Sequence, residues 1–189
     1  MSGTIDIALL IRTAHRMNKP SHSIKNLLVI GFGNIDRQDD GVAWHVLSML
    51  ANHLGRPHPN EIMEGLEDFS TSPALLFVLQ LTPEMAEIVA QYDAVCFVDA
   101  HTGSVEEEVQ LAEIEGEFQS SPLTHHMTPQ TVLALADTLY GKLLPGFLLS
   151  IRGYQFGFTT QMSPQTEQLA HQAADLLWDW VQDFSKPEF

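Results

Sequence analysis

Three short stretches carry the side chains that can do chemistry. The first is "GFGNIDRQDDG", residues 31–41, a glycine-rich turn holding Asp36, Asp39 and Asp40. The second is Asp99, at the end of the apolar run "AVCFVDA". The third is the pair His125 and His126, just upstream of "MTPQTVLALA". Carboxylates and neutral imidazole together bind divalent transition ions, and three protein ligands leave positions open for water or a substrate group. A histidine beside a helix N-terminus is biased toward the neutral form, because the positive end of the dipole disfavours imidazolium. Neutral imidazole is the form a metal requires. A plainer reading stands beside this one: "DDG" makes ordinary turns, Asp99 can satisfy loop amides, and the two histidines can be solvated.

The opening turn has the outline of a phosphate cradle but the wrong residues. A dinucleotide fingerprint needs a third glycine three residues after the second, where this chain has Asp36. Carboxylates there would repel a pyrophosphate, and no "GK[ST]" follows to make a Walker loop. No "GxSxG" elbow is present, which removes support for a serine-triad hydrolase. Cys96 is the only cysteine, so no internal disulfide can form, and its apolar surroundings make it a core residue. His101 is an outer neighbour of Asp99, with solvent exposure the expected reason for it. Trp178 and Trp180, two apart, cannot share one side of a helix, so one is expected in the core and the other partly exposed.

Composition narrows the class. A chain of 189 residues suits one domain with a sizeable core. No stretch approaches the roughly 18 consecutive apolar residues of a membrane span. The N-terminal run "IDIALLI" is short, contains an acid and lacks a clear cleavage site, so a secretory signal is not expected. A single cysteine fits a reducing compartment, and a cytoplasmic location is the expectation. The formal charge of −15 argues against nucleic acid as a partner. It suits cations or a basic partner segment, and it also serves solubility.

The elements that must position these residues follow from periodicity. Residues 1–25 read as an N-terminal extension and residues 26–189 as one α/β domain. "LLVIG" is a continuous aliphatic run, as expected of a strand buried on both faces. Residues 74–81, 94–100 and 147–156 read as further strands, and "EEVQLAEIE" alternates as an edge strand does. Helices are expected after the acidic turn, over "TPEMAEIVAQY" with Thr82 as N-cap and Pro83 at N1, over "TPQTVLALADTLY", and from Pro164 onward. Residues 60–73 are expected to be a loop with one helical turn. The whole predicts a single three-layer α/β domain, a twisted and mostly parallel sheet with helices on both faces and one antiparallel edge strand. Ligands in such sheets gather beyond the carboxyl ends of the strands, where all three chemical stretches fall.

In combination, "LLVIGFGN", "DDGVAWHV", "FVDA" and "HHMTPQTVLALA" resemble the hydrogenase maturation proteases, endopeptidases that trim the C-terminal tail from the large-subunit precursor of nickel–iron hydrogenases. The resemblance runs from about Asn26 to the final helix and leaves residues 1–25 and roughly 55–73 without a counterpart. It implies a nickel-engaging set of Asp40, Asp99 and His125, with His126 as the alternative to His125. It implies catalytic roles for Asp40 and Asp99. Gly31, Gly33 and Asn34 would shape the turn and let substrate backbone approach, with Asp39 in support. The nickel would arrive with the precursor, no organic cofactor is expected, and either a carboxylate or a metal-bound water would assist attack. Two readings from other classes use the same residues: a non-proteolytic metal- or precursor-binding maturation chaperone, and a nucleotide-dependent α/β enzyme.

Overall fold

The computed structural model describes residues 26–56, 67–118 and 127–185. In chain order these form β1 (Leu27–Phe32), a 3-10 turn (Gln38–Gly41), α1 (Val42–His53), β2 (Glu67–Asp68), β3 (Ala74–Val78), α2 (Met85–Val89), β4 (Ala94–His101), β5 (Val109–Ile114), α3 (Pro129–Tyr140), β6 (Gly146–Arg152) and α4 (Pro164–Ser185). The strands make one sheet in the order β2-β3-β1-β4-β6-β5. The four inner strands run parallel, while β2 and β5 pair antiparallel with β3 and β6.

The inner strands are apolar on both faces because each face is covered. Leu27, Val29, Cys96, Val98, Phe147, Leu149 and Ile151 pack with buried residues of α1 and α4. Leu28, Ile30, Val95 and Phe97 point the other way, into a second core with α2 and α3. This is the expected three-layer arrangement. Cys96 is fully buried, and burial pushes its thiol pKa far above the ordinary range, which suits a core residue and not a nucleophile. Trp180 lies buried between the rings of Phe147, at 5.5 Å, and Phe184, at 5.0 Å. Trp178 is half-buried against His53, so the two tryptophans divide as their spacing requires.

Several boundaries differ from the sequence reading. β5 takes the expected edge, but β2 makes a second antiparallel edge where a loop with a helical turn was expected. Asp68, in β2, is held by Arg56 at 3.1 Å, and the same guanidinium donates to the Pro73 carbonyl at 2.7 Å. The helix expected from Thr82 begins only at Met85, because the amides of Met85, Ala86 and Glu87 bond to carbonyls three residues back, in 3-10 fashion. β3 stops at Val78 rather than residue 81. β6 ends at Arg152 rather than residue 156, because the following amides turn away to a buried carboxylate described below. By contrast α3 is capped as its sequence demands: the Thr128 hydroxyl accepts from the Thr131 amide at 3.3 Å, Pro129 occupies the first turn, and Gly141 closes the helix in the left-handed conformation. Among the described residues no helix is long and apolar enough to cross a membrane.

The aromatic cluster under β6 gives a direct check on the first core. Trp180→Ala should cost about 3–5 kcal/mol of unfolding free energy, read as a lowered urea midpoint. A loss under about 1 kcal/mol would contradict the buried placement of this ring.

Candidate active site

From β1 the chain moves to β3 on one side and then to β4 on the other. The switch point between β1 and β4 is therefore the natural crevice of the sheet. Asp40 comes from the turn that follows β1. Asp99 lies on β4 one residue past Val98, which pairs with Gly31 at the top of β1. Because Val95 and Phe97 face the α2–α3 core, strand alternation places Asp99 and His101 on that same side. Ser150, the β6 partner of Asp99, is buried beside it.

The local chain geometry explains how Asp40 is held. Gly33 has φ +140, and a Cβ at that position would stand 2.0 Å from the Asp40 carbonyl oxygen, so only glycine fits. The Asn34 amide donates to Asp40 Oδ2 at 3.0 Å, and Asn34 Oδ1 accepts from the Asp36 amide at 2.9 Å. The Gly33 amide bonds to the Val78 carbonyl, and those of Arg37 and Asp40 bond to Asn34 and Arg37 carbonyls within the turn. The turn has thus spent the amides that a phosphate cradle would offer. On Asp99, Oδ1 accepts the Ala100 amide at 2.8 Å. Burial pushes its carboxyl pKa up to about 7, the Ala100 amide opposes that rise, and the nearby Asp40 charge adds to it. The two acids, far apart in sequence, are electrostatic neighbours.

The other sequence-predicted residues divide. Gly33 and Asn34 sit in the turn as expected, and Asp36 is exposed. Gly31 does not: it belongs to β1, where a Cβ would meet the Leu47 methyls at 3.1 and 3.2 Å and the Phe77 ring at 3.2 Å. Its smallness lets α1 pack on the sheet. His101 is buried, not exposed as expected. Burial first and the Arg152 charge second hold its pKa below the usual range, partly offset by the Glu108 and Glu107 carbonyls, so it stays neutral. His125 and His126 lie outside the described residues. Among the described residues no three His, Cys, Asp or Glu side chains converge to hold a metal ion.

Asp39 supports the turn from inside the protein, where it is completely buried. Its Oδ2 accepts the amides of Tyr154 and Gln155, each at 2.8 Å, and the Ser163 hydroxyl at 2.8 Å. Its Oδ1 accepts the Ser163 amide at 2.7 Å. Burial alone would raise its pKa, but the Ser163, Gln155 and Tyr154 amides and the Ser163 hydroxyl outweigh that and hold it below the ordinary value. Ser163 in turn caps α4 by accepting the Thr166 amide at 3.3 Å. Gln38, with φ 51, completes the lock: its amide donates to the Thr159 carbonyl at 2.7 Å, and its Oε1 accepts the Gly157 amide at 2.7 Å. The segment 153–163 is thereby fastened to the opening turn. The strand expected over 147–156 overran into this segment, and residues 157–163 carried no expectation; Gly153 and Gly157 are its tight positions, with Cβ atoms that would fall 3.1 Å from Asp39 Cβ and 2.8 Å from Gln38 Oε1.

A pair of carboxylates at this switch point, on a sheet with antiparallel strands at both edges, is set on the fold of the hydrogenase maturation proteases. No protein-family model matches the sequence, and no curated protein does. Solved structures do match. One is the hydrogenase maturating endopeptidase HybD from E. coli, at TM-score 0.60 and 15% identity over 84% of this chain and 93% of that one. Another is the [NiFe] hydrogenase maturation protease HycI from Thermococcus kodakarensis KOD1, at TM-score 0.58 and 17% identity over 84% and 94%. A third is the hydrogenase 2 maturation peptidase from Thaumarchaeota archaeon SCGC_AB-539-E09, at TM-score 0.53 and 18% identity over 84% and 99%. The fold implied by the sequence motifs is the fold observed.

Two outcomes follow from the carboxylates. Asp39→Ala leaves three amides and a hydroxyl without their acceptor, and should cost about 3 kcal/mol or more in denaturant unfolding; a loss below about 1 kcal/mol would refute the clamp. For Asp99, the folded pKa of about 7 stands above the ordinary value of 3.8. Its contribution to stability is therefore fully present below pH 3.8 and is lost as pH rises through about 7. Unfolding midpoints across that window should fall for wild type relative to Asp99→Asn; parallel curves would contradict the shift.

Proposed function

We propose that this chain is an endopeptidase that removes the C-terminal extension of a nickel–iron hydrogenase large-subunit precursor after nickel insertion, acting in the cytoplasm. The observation that carries the reading is the acid pair: Asp40 and Asp99 meet at the switch point of a sheet whose fold is that of the maturation proteases. In this reading the nickel is part of the substrate. Asp40, Asp99 and His125, with His126 as the alternative to His125, recognise it. The ion polarises oxygen ligands and marks the precursor as loaded.

The chain's own residues then do the proton work. Hydrolysis adds water to the scissile carbonyl, takes a proton from that water and gives one to the departing amide nitrogen. Asp40 accepts the first proton. Asp99, whose protonated form is favoured by burial in the absence of the ion, loses that proton on engaging the cation, so the proton taken by Asp40 is the one passed to the amide nitrogen. Gly33 keeps the Asp40 backbone where no side chain could fit, and the Asn34 amide orients its carboxylate.

The chaperone reading shares the acid pair but predicts binding without shortening. The nucleotide reading is disfavoured by a turn whose amides are consumed internally and whose side chains are acidic. The deciding experiment is incubation of nickel-loaded precursor with wild type, Asp40→Asn and Asp99→Asn, followed by intact-mass measurement. Wild type should release the tail, and each variant should be slower by about 100-fold or more while remaining folded. Undiminished cleavage by either folded variant would remove that residue from the mechanism.

A further inference from the structure

The inner strands are parallel, so their carboxyl ends share one edge of the sheet, and the acid pair lies in the middle of it. Large apolar side chains stand exposed on both flanks of that pair. Leu79, directly after β3, is 65% exposed. On the far side, beyond β6, Tyr154 is 40% and Phe158 93% exposed. Phe158 is the extreme case, and it is not on a loose tip. Its two chain neighbours are both tied to Gln38: the Gly157 amide donates to the side chain at 2.7 Å, and the Thr159 carbonyl accepts from the Gln38 amide at 2.7 Å. The second of these bonds belongs to a parallel bridge between Arg37 and Thr159. A phenyl ring is thus held in water by an ordered backbone, one residue before Thr159, which bonds to the turn that supplies Asp40.

From this we infer that Phe158 is the anchor by which the folded body of the substrate protein docks beside the acid pair. The inference rests on the protease reading and names a specificity-determining residue for it. Burial of a pre-ordered aromatic ring is favourable and costs little extra ordering, which is why a few such anchors dominate protein recognition. The occupant is the precursor's globular surface and not the scissile peptide alone, because the apolar residues lie on both sides of the crevice, beyond β3 and beyond β6. Leu79 marks the opposite rim of the same footprint. The loop's attachment to Gln38 and Asp39 fixes the anchor relative to Asp40, so docking registers the tail over the acids.

The test compares wild type, Phe158→Ser, Phe158→Trp and Leu143→Ser in steady-state cleavage of nickel-loaded precursor, with precursor binding to each measured alongside. Leu143 is the control, since it is 83% exposed but follows α3 near the opposite edge of the sheet, two residues before the Pro145 that bonds to the start of β4. Phe158→Ser should raise KM by about tenfold or more with kcat and melting temperature unchanged, and Phe158→Trp should restore KM. Leu143→Ser should match wild type. A KM for Phe158→Ser within about twofold of wild type, or an equal rise for Leu143→Ser, overturns the docking role. The two levels separate cleanly. A wild type that binds precursor without shortening it overturns the protease reading alone, whereas equal binding by wild type and Phe158→Ser overturns the anchor alone.

Discussion

One buried anion organises the functional end of this molecule. Asp39 has no exposed surface, and its charge is met by three backbone amides and a hydroxyl. Stripping a carboxylate of water costs several kcal/mol, and only a complete set of donors offsets that cost. The requirement fixes three things together: the turn after β1, the course of residues 153–163, and the start of α4, whose cap residue Ser163 supplies two of the donors. Removing any one of them leaves the others without their partner. The irregular segment after β6 is therefore as well determined as a strand, although it has none of a strand's regularity.

Adjacent residues in this turn serve opposite ends. Asp39 is buried and held ionised by hydrogen bonds, while Asp40 is the electrostatic neighbour of Asp99. The acids differ because their surroundings do: donors surround Asp39, whereas Asp99 has burial and a like charge against it and a single amide in its favour. The inward acid holds the scaffold, and the crevice pair is available for the acid–base role proposed for it.

The legible part of the sequence was the part governed by local rules. Continuous aliphatic runs announced β1, β3, β4 and β6, and alternation announced the edge strand β5. Thr128-Pro129 and Gly141 bounded α3 by capping chemistry alone. Asp40 and Asp99 stood out because an acid at the end of a buried strand, or in a tight glycine turn, has few structural excuses. What escaped was decided by partners far along the chain. Asp39 meets its donors 115 or more residues later, and nothing near "DDG" says which of the two aspartates turns inward. Gly31 looked like part of the turn, yet its reason is Leu47 on the helix above it. His101 was expected in solvent because it follows Asp99 at a strand end, but the 107–108 backbone and Arg152 close over it. β2 consists of Glu67 and Asp68, too short and too polar for any pattern to reveal. The short α2 shows the limit of capping rules, since a Thr-Pro start opened a 3-10 turn there and a full helix at residue 128.

The clamp on Asp39 also sets an order of events during synthesis. The turn bearing Asp40 emerges from the ribosome early, but the groups that neutralise its neighbour lie at residues 154–163 and in the cap of the last helix. Until that late stretch has been translated and folded back, a nascent chain lacks the groups that replace water around Asp39. The clamp on Asp39 is thus complete only when the start of the final helix is in place. A molecule whose proposed role is to certify that another protein is finished has its own clamp left open until it is nearly complete itself.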